Sequence, residues 1–163
     1  MNNIGITGSS GSLGKIFLKN FKDKVFCFKG DVRNIQIIEK WIKKNNINII
    51  IHLAAIVPIK KVNNNLKTAY DVNFIGTKNI IDASVKFQLK WFFFASTSHV
   101  YKYSKRDISE TNKKRPVSYY GKTKLMAENY IIKKLENLSI PYCIGRIFST
   151  ANKNQKKNYK VPD

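Results

Sequence analysis

Thr7-Gly8-Ser9-Ser10-Gly11-Ser12-Leu13-Gly14 stands between a short apolar run, Asn3-Ile4-Gly5-Ile6-Thr7, and a stretch in which Leu13, Ile16, Phe17 and Phe21 recur at helical spacing. A strand that turns on glycines straight into a helix is the signature of a phosphate cradle. Gly8 permits the tight turn, Gly11 lets backbone N–H groups approach a pyrophosphate with no side chain in the way, and Gly14 lets the helix pack close to the sheet. The first helical turn, with Ser10, Ser12 and Leu13 beside those glycines, offers unpaired N–H donors and the positive end of the helix dipole. The spacing GxxGxxG is one residue longer than the GxGxxG fingerprint. An ordinary glycine-rich turn is the plain alternative.

Outward from this turn, strands and helices alternate. Val25–Phe28 reads as a second strand and Asn34–Asn45 as a helix with Ile35, Ile38, Trp41 and Ile42 on one face. Asn48–Leu53 is a near-continuous apolar strand, the pattern of a parallel sheet buried on both faces. A long helical stretch follows over 66–87, then a strand at Trp91–Ala95, a helix over 119–138 and a strand at Tyr142–Phe148. This alternation predicts an α/β protein with a doubly wound parallel sheet and helices on both faces. Residues 1–150 form one domain in this reading; 151–163 are a polar tail or the beginning of a further region.

Composition limits the function. The chain has 163 residues, 43% of them hydrophobic, which excludes wholesale disorder. No apolar run approaches a membrane span, and the N-terminus lacks a signal-peptide pattern. Two cysteines without CxxC spacing point to no metal site and to a reducing, cytoplasmic setting. The net charge of +20 comes from 26 lysines spread along the chain and only four arginines, Arg33, Arg106, Arg115 and Arg146. Nucleic-acid readers favour arginine, so the excess reads as general basicity and no nucleic-acid partner is expected.

Chemistry-bearing residues fall at the carboxyl ends of the strands, where such sheets bind ligands. After the second strand, Asp31 stands where a dinucleotide's adenosine ribose or adenine amine would lie, with the start of the next helix as its plain alternative; Lys29 would instead suit a 2′-phosphate, leaving NAD and NADP both open. After the third strand, Ala54 and Ala55 are small and apolar, suiting close cofactor approach or tight packing. The fourth strand ends Ser96-Thr97-Ser98-His99. A hydroxyl there can orient a reacting oxygen, Thr97 foremost, with Ser96 and Ser98 as competitors and strand-end capping as the bland role. His52 and His99 are read as a strand-end and a loop residue.

Three tyrosines stand four residues before a lysine: Tyr101/Lys105, Tyr120/Lys124 and Tyr130/Lys134. On a helix this spacing puts both groups on one face about 6 Å apart, and the ammonium favours the phenolate. Position selects Tyr120/Lys124. It lies in the first turn after Ser118, a natural N-cap, at the ligand edge. Tyr130 sits about 15 Å further down the helix. Gly121 costs a helix about 1 kcal/mol relative to alanine, which suits a site of close approach.

Together these segments resemble the extended short-chain dehydrogenases/reductases, the NAD-dependent epimerases/dehydratases with a Rossmann fold. Thr7–Gly14 is similar to the family's cofactor turn, Gly30-Asp31-Val32-Arg33 to its adenine-side segment and His52-Leu53-Ala54-Ala55 to its third-strand end. Asp71-Val72-Asn73-Phe74-Ile75-Gly76-Thr77 resembles its VNxxGT helix. Ser96–Tyr101 and Pro116–Lys124 resemble its catalytic segments, and Arg146-Ile147-Phe148 its next strand end. The resemblance implies NAD or NADP as cofactor and a nucleotide-sugar substrate, with hydride moving between the sugar C4 and the nicotinamide. Tyr120 is then the general acid/base, Thr97 orients the sugar oxygen, Lys124 holds the ribose and tunes Tyr120, and Asn73 supports the cofactor site from its helix.

Ser98-His99 stands where the family's dehydratases place Asp-Glu, which leaves an epimerase or a 4-keto reductase. The short join from Phe28 to Gly30-Asp31 resembles the reductases of deoxysugar synthesis. Family members continue into a region covering the sugar, so the resemblance implies a partial member. A non-catalytic dinucleotide-binding module is the alternative. The broad apolar faces of helices 66–87 and 119–138 suggest a homodimer.

Overall fold

The computed structural model describes residues 2–21, 25–57, 64–105 and 107–148; the 151–163 segment lies outside them. Five strands, β1 (Ile4–Thr7), β2 (Val25–Cys27), β3 (Ile49–His52), β4 (Trp91–Thr97) and β5 (Tyr142–Ile147), form one sheet in the order β2-β1-β3-β4-β5. Every pairing is parallel. The chain runs from β1 to one neighbour, β2, then returns to the other, β3. The order therefore reverses between β1 and β3, the position at which doubly wound sheets open a crevice.

The helices are α1 (Ser12–Asn20), α2 (Ile35–Asn45), α3 (Leu66–Tyr70), α4 (Gly76–Lys86) and α5 (Tyr119–Glu136). Side chains start three of them: the Asn34 Oδ1 accepts from Ile37 N, Asn65 Oδ1 from Thr68 N and Ser118 Oγ from Gly121 N. Helix α2 ends on Asn46 in the left-handed conformation (φ 48°), with Ile47 N bonding back to Ile42 O. Helices α2, α4 and α5 pack as one layer on a core of Ile38, Ile42, Ile50, Ile80, Phe92, Phe94 and Ile131. Helix α1, whose crossover runs the other way along the sheet, belongs to the opposite face.

Two expectations change. The fourth strand continues past Ala95 to Thr97, because Ser96 and Thr97 pair with Arg146 and Ile147 of β5. The helical stretch over 66–87 is not one α-helix. Between α3 and α4 the chain makes a π-turn, Asp71–Ile75, closed by Gly76 N on Asp71 O. The inserted residue rotates the apolar stripe. Hence apolar residues occur almost all round this stretch, and Ala69, Val72, Phe74, Ile80, Ile81 and Val85 are all buried or half-buried within one chain.

Candidate functional site

A cleft of about 650 Å³ opens at the carboxyl ends of β1, β2 and β3. Its walls are Gly8, Ser10, Gly11, Ser12, Leu13 and Gly14 from the turn, Gly30, Asp31 and Val32 after β2, Leu53, Ala54, Ala55 and Val57 after β3, and Val72 of the π-turn. All but Gly30, Val57 and Val72 are cofactor-site candidates on sequence alone. Gly30 stands in the quoted Gly30–Arg33 segment, so its signal is present there, whereas the two valines look like core in any sequence.

The glycines divide the work. Gly8 has φ +72°, and a Cβ on it would lie 2.6 Å from Ala54 N, so the turn rests backbone-to-backbone on the β3 end. A Cβ on Gly11 would meet only Gly8 O, at a tight 3.3 Å, and nothing else within 4 Å. Gly11 is the N-cap of α1 and contributes no side-chain cap. The leading N–H groups of α1 therefore border the cleft, as an anion site requires. Gly14 differs from expectation: the atoms a Cβ would strike are Gly8 O and Ser9 Cα, so it lets the helix close onto the turn itself rather than onto the sheet.

The β2 exit is held from behind. Asn79 Nδ2 donates to Val32 O and Arg33 O, and Val32 packs against Gly76 with no room for a Cβ. Asp31 is paired with Arg33 through Nε and Nη2, and this guanidinium holds its carboxyl below the usual range. Both side chains are nearly half exposed. The cleft rim thus presents a carboxylate and a guanidinium together.

Asn73 does not line the cleft. It is fully buried in the π-turn, where Oδ1 accepts from Ile56 N at 2.7 Å and Nδ2 donates to Ile56 O and Thr123 Oγ1. It clips the loop after β3 to α5.

The three tyrosine–lysine pairs separate by environment. Tyr130 donates to Asp82 at 2.5 Å, and burial together with that carboxylate raises its pKa beyond use as an acid/base. Tyr101 accepts from Arg146 Nη1 and donates to Glu110 O, pinning the loop after β4. Tyr120 lies at the start of α5, packed with Ala69, Ile56 and Tyr119, and its ring stands edge-on to His99 at 5.9 Å. Ile56 is the neighbour of Ala55 and Val57 in the cleft wall.

Thr97, almost wholly buried, accepts from His99 N at 3.3 Å and so caps a 3-10 turn, Ser98–Val100. Ser96 points elsewhere. Its hydroxyl donates to Glu128, a fully buried carboxylate that also receives Arg146 Nε and Nη2. Lys124 is buried, with Nζ 3.9 Å from the centre of the Phe94 ring. Burial pushes its pKa down to about 7, against an opposing pull from Glu128 one turn on. Glu128 and Asn79 are structural supports that the sequence reading missed, and Arg146 appears there only as part of a strand-end segment; a glutamate one turn after Lys124 on an inward face was the available signal.

This architecture is the doubly wound, Rossmann-type class of α/β protein. The sequence profile described as GDP-mannose 4,6 dehydratase matches residues 6–162, and the chain belongs to that family of extended short-chain dehydrogenases/reductases. It is similar to a UDP-glucose 4-epimerase of Rhizobium meliloti (strain 1021), 29% identical over 101 residues, 61% of this chain and 31% of that protein. Among solved structures it resembles the dTDP-4-dehydrorhamnose reductase of Bacillus anthracis str. Ames in complex with NADP. That match has 27% identity and a TM-score of 0.80, and covers 91% of this chain and 54% of the other. The UDP-glucose 4-epimerase of Thermus thermophilus in complex with NAD shares the fold, with a TM-score of 0.78 at 21% identity over 88% of this chain and 54% of that one. The chain spans about a third of the length of this curated relative and about half of these solved chains. Among the described residues, no helix is long and apolar enough to cross a membrane.

Proposed function

We propose that the chain carries the cofactor site and acid/base machinery of an NAD(P)-dependent nucleotide-sugar epimerase or 4-keto reductase. The observation that carries this reading is the cleft at the strand-order reversal, walled by the glycine turn, Asp31-Val32 and Leu53–Ala55. The missing side chain at Gly11 and the α1 N-terminus without a side-chain cap fit a pyrophosphate. The nicotinamide, when bound, supplies a donor and acceptor of hydride. Asp31, beside the guanidinium of Arg33, takes the adenosine end; Lys124 holds the nicotinamide ribose from α5.

Tyr120 gives or takes the proton of the sugar hydroxyl at its phenolic oxygen, and Thr97 Oγ1 orients that same oxygen. Lys124, when charged, favours the phenolate of Tyr120. Asn73 keeps the wall beside them in place through Ile56. The place of Tyr120 at the head of α5, beside His99 and the Ile56 wall, supports it in this role. The lysine-rich surface serves anionic metabolites in this reading and not nucleic acid; a homodimer through 66–87 and 119–138 loses its ground at 66–87, whose apolar residues are covered within one chain, and rests on sedimentation alone.

Calorimetric titration with NADH and with NADPH tests the reading. Saturable binding of at least one is expected; heat from neither would reject the cofactor site.

A further inference from the structure

We infer that His52 is a positioning residue: a neutral imidazole, protonated on Nε2, at the centre of a buried relay that holds the Leu53–Ile56 wall of the cleft against the glycine turn. This rests on the dinucleotide reading for its purpose, but its geometry stands without it.

The proton positions follow from the partners. Thr77 Oγ1 donates its single proton to Asn73 O at 2.8 Å, so toward His52 Nε2, 3.0 Å away, it can only accept. Nε2 therefore carries the ring proton. In a neutral ring Nδ1 is then an acceptor, and Thr7 Oγ1, 2.6 Å distant, donates to it. The Thr7 oxygen in turn accepts from Ala54 N at 3.2 Å. Every link has one donor and one acceptor, and Thr7, His52 and Thr77 are fully buried.

Neutrality is built into the surroundings. Phe94 lies against the ring at 5.8 Å, and Lys124 faces it from α5 over that same phenylalanine. Burial and that charge both disfavour an imidazolium.

The relay ends where the site begins. Ala54 N is the atom a side chain on Gly8 would strike, so the bond from Ala54 to Thr7 sets how closely the turn and the wall approach. At the other end, Asn73 grips Ile56 by both its N–H and its carbonyl. His52 thus ties together the two anchors of one cleft wall, at Ala54 and Ile56, through the interior of the sheet.

Nitrogen-detected NMR of the full chain, hydrogen exchange and calorimetry test this. His52 is expected to show a protonated Nε2 and a bare Nδ1, unchanged from pH 8 to pH 5. A protonated Nδ1, or an ordinary titration near 6.5, would overturn the proposal. In Thr77→Val, which keeps the imidazole and lines no part of the cleft, and in His52→Phe, amide exchange at Ala54 and Ile56 is expected to rise about tenfold relative to Ile50 and Phe92. Equal change at all four would reduce His52 to a general packing role and overturn the positioning claim. If the wild type binds a nicotinamide cofactor, both variants are expected to bind it several-fold more weakly, and undiminished affinity would overturn the claim. Heat from neither cofactor in the wild type would instead reject the dinucleotide reading, leaving the relay to be decided by the tautomer and the exchange rates.

Discussion

The carbonyl of His99 lies against Gly121 so closely that a Cβ on that glycine would strike it. This contact is what brings the first turn of α5, with Tyr120, onto the turn that follows β4, with Thr97 at its head. Glycine at position 121 is therefore a packing requirement, although helix propensity alone favours alanine by about 1 kcal/mol.

Gly121→Ala is expected to destabilise the fold, by about 1–3 kcal/mol for overpacking against backbone. Urea denaturation measures it. An unchanged or raised midpoint would mean that the helix start shifts freely and that the contact does not position Tyr120.

Gly11 and Gly14 are expected to part company. Gly14→Ala strikes Gly8 O and Ser9 and should lower thermal stability. Gly11→Val meets only Gly8 O, at 3.3 Å from its Cβ, so a small shift of the turn is needed; it should cost less stability than Gly14→Ala while filling the cleft and abolishing NADH or NADPH binding. Calorimetry and a melting curve on each variant check the contrast.

Tyr120→Phe should abolish turnover of a nucleotide sugar while leaving cofactor affinity nearly unchanged. Turnover equal to wild type would remove Tyr120 from the acid/base role. Cofactor binding with no turnover by the wild type would favour a non-catalytic dinucleotide module.

Stability should rise with pH across two windows. His52, held neutral by burial and then by the charge of Lys124, has its pKa moved from 6.5 to about 3. The unfolded chain takes up that proton as pH falls through 6.5 and the folded chain does not, so stability drops by up to about 1.4 kcal/mol per unit below 6.5. Burial lowers Lys124 to about 7 from 10.5. Between those values the unfolded chain holds a proton the folded one lacks, so stability climbs as pH rises. Denaturation midpoints of wild type, His52→Phe and Lys124→Met from pH 5 to 10 should each show one window flattened in the variant concerned. A wild-type slope retained by Lys124→Met between 7 and 10 would contradict the buried-lysine argument.

The pair of Glu128 and Arg146 is expected to be costly to break. Glu128→Gln leaves a mostly buried guanidinium short of its counter-charge and keeps one accepting oxygen where Arg146 and Ser96 use two, a loss of about 3–5 kcal/mol. Faster proteolysis within 101–118, which Arg146 holds through Tyr101 and Glu110 O, should accompany it.

Much of this arrangement was legible beforehand, for reasons that differ by residue. The glycine turn speaks through chain geometry, since few residues tolerate the φ of Gly8, and the β3 run Ile49–Ile51 speaks through burial on two faces. Ser118 announced the α5 start because capping is local. The partners of Ser96, His52 and Tyr130 were not legible, because each lies 25 or more residues away and only the fold decides which hydroxyl faces a carboxylate. The π-turn was hidden for a related reason: one extra residue changes the phase of the apolar pattern without changing its composition.

That extra residue has a consequence for how the gene tolerates length change. Deleting one position between Asp71 and Ile75 would restore an uninterrupted α-helix, a gain in backbone regularity. The flanking helices would keep their facing, because a π-turn of this length sweeps roughly the angle of an α-helical stretch one residue shorter, but the residues of the turn itself would shift, carrying the amide of residue 73 off Ile56. A shortened variant of this kind should fold with the sheet intact and its loop after β3 adrift, which makes the irregular turn a mount for one amide.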